Sequence, residues 1–347
     1  MNAYKAAQHT TDLSTSFNQT ALLITGMRWV TGWLFFSAFW RRLILENKLD
    51  PDGIGYVGEK FNHFYPNAIF IKDTLHYLIT HPETLQPFLV VFTIIEALVG
   101  LGLLFGLLTR LASLGVFMLS IGILFGAGWL GSTCLDEWQI GVFGVVSGLI
   151  MMVAGSDTYS LDRLLLMKFP SLQTKKWFQY IGSGNLEFQN PHYFKWIALS
   201  IAGFPLILTL YTNQVFHGGV WGKLHNLSLN PNIVVSDVTY KNNNTILFSL
   251  YRDQGIDTYG AFIIRITVKD SAGNIIKNFN DEMLSKIPEG SIHNYYISNI
   301  KSGKHSLVIP LGAKAQLAFP LDNLTLGKYM IEVEDIGGKI WNANFKI

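Results

Sequence analysis

The residue types with chemical reach gather at two places in this chain. The first is Gly131-Ser-Thr-Cys-Leu-Asp-Glu-Trp-Gln139, a short loop between apolar stretches that holds the only cysteine, Cys134, beside Asp136 and Glu137. The thiolate is the nucleophilic form, and neighbouring carboxylates raise a thiol pKa, so Cys134 needs a nearby cation to react. Arg41 and Arg42 end an earlier apolar stretch on the same expected side, where they balance the carboxylates and attract an anion. The bland alternative for Cys134 is a small, half-buried interfacial residue without reactivity.

The second place lies within the apolar stretches. Arg28 is the eighth residue of one and Glu96 the ninth of another. Ionisable groups in a membrane are costly, and they mark either a function or a buried pair. A mutual ion pair is the simplest solution for both, and an Arg–Glu clasp between two helices is as good a reading as a site. A quinone headgroup at such depth needs a hydrogen-bond donor and a proton acceptor, and Glu96 can supply protons to a reduced quinone.

Spanning helices must position these groups. About 20 apolar residues cross a bilayer core, and residues 21–40, 88–108, 111–130, 138–156 and 196–212 meet that length. Thr109-Arg110 alone separates the second and third, which form a hairpin with a basic tip. Glycines recur through the second to fourth stretches at spacings that let helices approach closely. The first four read as one bundle and the fifth as an anchor. Seven tryptophans, Trp129 and Trp138 among them, fall mostly near segment ends, as an interfacial belt would place them.

The first stretch is too long for a cleavable leader and carries Arg28. With the polar first twenty residues in the cytoplasm, five spans put the carboxy-terminal half outside. Seven basic residues then fall inside, against five outside: Arg41 and Arg42 at the end of the first stretch and three lysines in the long 43–87 loop. That loop carries Lys60, His63, Lys72, His76 and His81, and a loop of such length often covers a site. His63 is grouped with Arg41 and Arg42 as the anion-binding mouth. The expected location is the cytoplasmic membrane, with an extracytoplasmic carboxy-terminal domain.

After residue 215 the pattern changes to short alternating runs such as TILFSLY, AFIIRITV and YMIEVED, separated by turn signals such as Gly337-Gly338. Seven or eight such strands predict an all-β, immunoglobulin-like sandwich. The architecture is thus α + β and multidomain: a four-helix membrane domain over 1–190, a fifth helix over 191–215 and the sandwich over 216–347. His217, His225, His293 and His305 lack ligand spacing, and no cysteine is near them, so no metal site or bound cofactor is expected there.

Composition agrees. Of 347 residues, 49% are hydrophobic and 14% charged, with mean hydropathy +0.28, far from the ~25% charge of a soluble domain. Residues 1–215 carry 13 basic and 13 acidic side chains, whereas 216–347 carry 13 and 11 in far fewer positions. A net charge of +2 gives no case for nucleic acid binding.

The run EALVGLGLLFGLLTRLASLGVFML from Glu96 to Leu119 resembles the second-to-third helix pattern of the DoxX/DoxD membrane proteins. GSTCLDEWQIG from Gly131 to Gly141 resembles the narrower DoxD version, and a β-rich extension behind an extra span resembles DoxA. The whole chain therefore resembles a DoxD–DoxA fusion. That resemblance implies a thiosulfate:quinone oxidoreductase, which joins two thiosulfates into tetrathionate and passes two electrons to a membrane quinone. The family brings no residue roles with it, so the assignments are ours. Cys134, Asp136 and Glu137 are the catalytic candidates, with Arg41, Arg42 and His63 for thiosulfate and Arg28, Glu96 and Trp138 for the quinone and its protons.

The alternative class is a non-catalytic anchor or docking subunit of a respiratory or sulfur-oxidising complex. A sulfur-oxyanion carrier ranks below both, since four or five spans without an inverted repeat match carriers poorly. The quinone type, the need for another subunit and the oligomeric state, a homo-oligomer included, stay open.

Overall fold

The computed structural model describes residues 19–131, 136–184, 186, 191–241, 244–322 and 324–347. They fall into two compact units that interleave along the chain. The first takes residues 1–54, 87–124 and 137–223; the second takes 55–86, 125–136 and 224–347.

The first unit is helical. Its long helices are α1 (Thr25–Phe39), α2 (Pro82–Phe105), α3 (Thr109–Ala127), α4 (Asp136–Ala154) and α5 (Pro191–Phe216). By length and composition, α2 to α5 are long and apolar enough to cross a membrane. The first apolar stretch, expected as a further regular span, is instead broken by a turn at Ile24 and passes into a π-helix over Trp40–Leu45. Its regular part is 15 residues.

Glycines let the bundle close. A Cβ on Gly32 would lie 2.9 Å from the Gly100 carbonyl, and one on Gly100 would lie 2.8 Å from that of Gly32, so α1 and α2 cross with their backbones in contact. Gly141, Gly144 and Gly148 of α4 likewise face Leu124, Ser120 and Phe117 of α3. Only 6% of the α5 span is buried, against 33 to 44% for the other three, which fits an anchor outside a packed bundle.

The second unit is built on an antiparallel sandwich. Among the described residues its strands are β1 (Asn232–Lys241), β2 (Thr245–Gln254), β3 (Ala261–Asp270), β4 (Ile275–Phe279), β5 (Ile292–Asn294), β6 (Lys301–Ser302), β7 (Leu307–Ile309), β8 (Lys314–Pro320), β9 (Lys328–Asp335) and β10 (Ile340–Lys346). One sheet runs β1-β2-β8-β5, the other β10-β9-β3-β7-β6 with β4 also on β3. The period of two turns Ile246, Phe248 and Leu250 inward against Ile331 and Val333, all 0% exposed. Two strands, β5 and β6, escaped the sequence reading because in three and two residues they hold a single apolar side chain, Ile292, whereas the equally short β7 is the apolar run Leu307–Ile309.

Segments 55–86 and 125–131 pack onto this sandwich as part of the same unit. Asn62 donates to the Gly312 carbonyl at 2.7 Å and accepts from the Ser298 amide at 3.2 Å. Tyr296 takes Tyr65 and His76 edge-on at 5.7 and 5.9 Å. Trp129 is fully buried and donates its indole N–H to the Phe64 carbonyl, so it is a core residue of this unit and not part of an interfacial belt.

Candidate functional site

The contact between Gly32 and Gly100 fixes the antiparallel register of α1 on α2, and with it the partners of both intramembrane charges. Four residues before Gly32, Arg28 stands opposite the carboxy-terminal end of α2. Its guanidinium donates to the carbonyls of Leu103 at 2.6 Å, Leu104 at 3.4 Å and Tyr159 at 2.6 Å. A cation there satisfies carbonyls that the ending helix leaves open and meets the negative end of its dipole. Gly106 makes room: its φ is +63°, and a Cβ would lie 2.5 Å from Arg28 Nη1. The expected pair of Arg28 with Glu96 therefore does not form, because seven residues of α2, about 10 Å of helix, separate Leu103 from Glu96.

Glu96 pairs instead with Arg42. From the π-helical turn, Arg42 Nη1 donates to the Glu96 carboxylate and, at 3.1 Å, to Thr93 Oγ1. The Arg42 guanidinium carbon lies 5.7 Å from the centre of the Phe92 ring. Glu96 and Thr93 are 4% and 0% exposed, and the Arg42 side chain is 17% exposed. A cation, a carboxylate and a hydroxyl thus stand together on helices otherwise lined by hydrocarbon. The π-helix widens the turn that carries Arg42, a distortion frequent at functional sites. Arg41, its neighbour, is exposed and, among the described residues, donates only to Ser37, at 3.3 Å to the carbonyl.

The cysteine loop is only partly visible. Cys134 lies outside the described residues, so its expected neighbourhood with Arg41 and Arg42 is not on view. Asp136 and Glu137 open α4, Asp136 exposed and Glu137 half-buried. Trp138 donates its indole N–H to Thr212 Oγ1 of α5 at 3.0 Å and lies edge-on to His217. It ties the anchor helix to the bundle.

His63 belongs to the other unit. It is 9% exposed, and its Nδ1 has no hydrogen-bond partner among the described residues. Burial, with Lys60 and Arg252 adding to it and Asp257 opposing, pushes its pKa down to about 4. Lys60 itself pairs with Asp257 at 2.8 Å. His63 is thus neutral at pH 7 and contributes no positive charge to an anion mouth. Below its ordinary pKa of 6.5 the unfolded chain takes up a proton that the folded unit refuses. Stability present above pH 6.5 should therefore be lost as pH falls towards 4, at ~1.4 kcal/mol per pH unit and about 3 kcal/mol in all. Thermal unfolding of the intact protein across that range checks this: the slope should flatten in His63→Gln, and an equal slope in both proteins would assign it elsewhere.

Two further buried charges escaped the sequence reading. Asp162, fully buried, accepts from the amides of Leu108 and Thr109 at 2.8 and 3.0 Å and from the hydroxyls of Thr109 and Ser183 at 3.0 and 2.6 Å. Arg110, expected at an exposed hairpin tip, is 6% exposed and donates to the carbonyls of Met152, Gln179, Gly182 and Gly184. The usable signal was Leu108: a helix beginning at Thr109 without a capping side chain before it needs an acceptor from elsewhere. Arg28 and Arg110 are held by backbone carbonyls, with only Arg28 Nε left without a partner among the described residues, and Asp162 by two amides and two hydroxyls, which makes this end structural. Among the described residues, no group of three or more His, Cys, Asp or Glu could hold a metal ion.

An apolar multi-pass helix bundle joined to an antiparallel sandwich, with one buried ionic cluster between its first two helices, defines the class of protein. Two family models match the chain: TQO (thiosulfate:quinone oxidoreductase) small subunit DoxD over residues 23–189, and TQO small subunit DoxA over residues 216–344. The chain belongs to these two families, as a DoxD–DoxA fusion within one polypeptide.

Proposed function

We propose that this membrane protein oxidises two thiosulfates to tetrathionate and passes two electrons to a membrane quinone, its sandwich facing outward from the cytoplasmic membrane. The observation that carries the reading is the Arg42–Thr93–Glu96 cluster, a donor and a carboxylate set in hydrocarbon. Reducing a quinone to its quinol takes two electrons and two protons. Arg42 donates to a carbonyl oxygen as negative charge develops on it, and Glu96 relays to the reduced quinone the two protons, taken up one after the other from the aqueous phase, that lipid cannot supply. Thr93 holds the guanidinium in place.

The thiosulfate end lies at Arg41, one residue from Arg42 and exposed. Thiosulfate is a dianion, and two of them repel in a low dielectric unless cations compensate. In the covalent route, the Cys134 thiolate and one thiosulfate form Cys–S–S–SO3⁻, releasing two electrons to the quinone. The terminal sulfur of the second thiosulfate then attacks the sulfane sulfur, forming tetrathionate and freeing the thiolate. In the direct route both anions couple against arginine. Cys134→Ser decides between them: the covalent route predicts loss of thiosulfate-dependent quinone reduction in a normally folded protein, and retained activity removes the cysteine from the mechanism.

Both families are described as small subunits, which favours a second reading, a docking subunit that acts only with a partner. The purified chain separates the two, since a docking subunit alone reduces no quinone.

A further inference from the structure

A cleft of about 580 Å³ opens along the bundle between α4 and α5. Val146 and Val153 line it from one side, and Phe194, Ala198, Ala202 and Leu206 from the other. The space exists because alanines stand where larger side chains would fill the gap between the helices. From Phe194 to Thr209 it follows about 22 Å of α5, longer than one leaflet of a bilayer core ~30 Å thick. Such a slot has the dimensions of an extended hydrocarbon chain.

The headgroup follows from position along the same helix. Residues 195, 198, 202, 205 and 209 recur at spacings of three and four, so Lys195 lies on the helix face that forms the cleft. It is exposed and in the first turn of the span that begins at Tyr193, at the level where a lipid headgroup sits. Basic residues beside clefts between spanning helices attract anionic headgroups. A neutral quinone ring offers this charge a carbonyl acceptor but no counter-charge, so a phosphate anion gains more from it. We propose that the cleft holds an acyl chain of an anionic phospholipid whose phosphate meets Lys195.

The test uses the full chain, delipidated in detergent and titrated with phosphatidylglycerol or phosphatidylcholine of identical acyl chains, with bound lipid counted by native mass spectrometry. Phosphatidylglycerol should bind about fivefold more tightly, the factor expected for one lysine near ~1 kcal/mol. Lys195→Gln should bring the two lipids level, and Lys175→Gln, away from this stripe, should leave the preference intact. Ala202→Phe should weaken both by filling the slot. Equal binding by the unaltered protein, or a preference untouched by Lys195→Gln, would overturn the proposal. Displacement of phosphatidylglycerol by an equal concentration of decylubiquinone would also overturn it and give the cleft to the electron carrier.

Discussion

Glu96→Gln is expected to lower kcat for quinone reduction by about a hundredfold or more, the range for loss of a positioned proton donor, while the KM for thiosulfate stays unchanged. Glutamine keeps the size of the side chain and an oxygen that accepts from Arg42, but it carries no proton to transfer. The substitution also leaves the Arg42 charge buried without its counter-ion, which costs about 3–5 kcal/mol when a buried pair is broken. Stability and activity must therefore be separated. In the double variant Arg42→Gln/Glu96→Gln both charges are gone, and stability should return towards that of the unaltered protein while quinone reduction stays low. A purely structural clasp predicts instead that activity recovers with stability.

Asp162→Ala should destabilise the helical unit by about 3–5 kcal/mol, since it strands two backbone amides at the start of α3, each orphan costing roughly 1–3 kcal/mol, and removes the acceptor of two hydroxyls. The hydroxyls can partly recover: Ser156 Oγ lies 2.8 Å from both Thr109 Oγ1 and Ser183 Oγ. The amides cannot. Asp162→Asn keeps an acceptor without the charge and should fall between the two. Reversible unfolding in mixed micelles reads the order directly, and an alanine variant within 1 kcal/mol of the starting protein would refute this account of the bundle's capped end. Per folded molecule, quinone reduction should be unaltered, because Asp162 holds the opposite end of the helices from Arg42.

Hydropathy and alternation made most of the fold legible, because burial in lipid and burial in a sandwich each impose their own period. They gave α2 to α5 and eight of the ten described strands. What they could not give were partners. Counting depth from the ends of apolar stretches paired Arg28 with Glu96, whereas the register is set by which glycines meet, and Gly32 on Gly100 moves Arg28 to the end of α2. Arg42, read as an anion-attracting rim residue, proved to reach inward because the π-helix carries it round to Thr93 and Glu96. His63 looked like a surface cation and is a buried neutral ring, since segment 55–86 packs on a domain that begins 138 residues after that segment ends. Such long-range docking leaves no periodic trace in the chain.

The most direct test of thiosulfate oxidation coupled to a membrane quinone is anaerobic reduction of a soluble quinone by the purified, lipid-replete chain. Thiosulfate, sulfite and sulfide are compared and tetrathionate is quantified. The account predicts quinol formed with thiosulfate alone, one tetrathionate for each quinol. A folded protein that forms no quinol with thiosulfate, or forms it equally with sulfite and without tetrathionate, would contradict it.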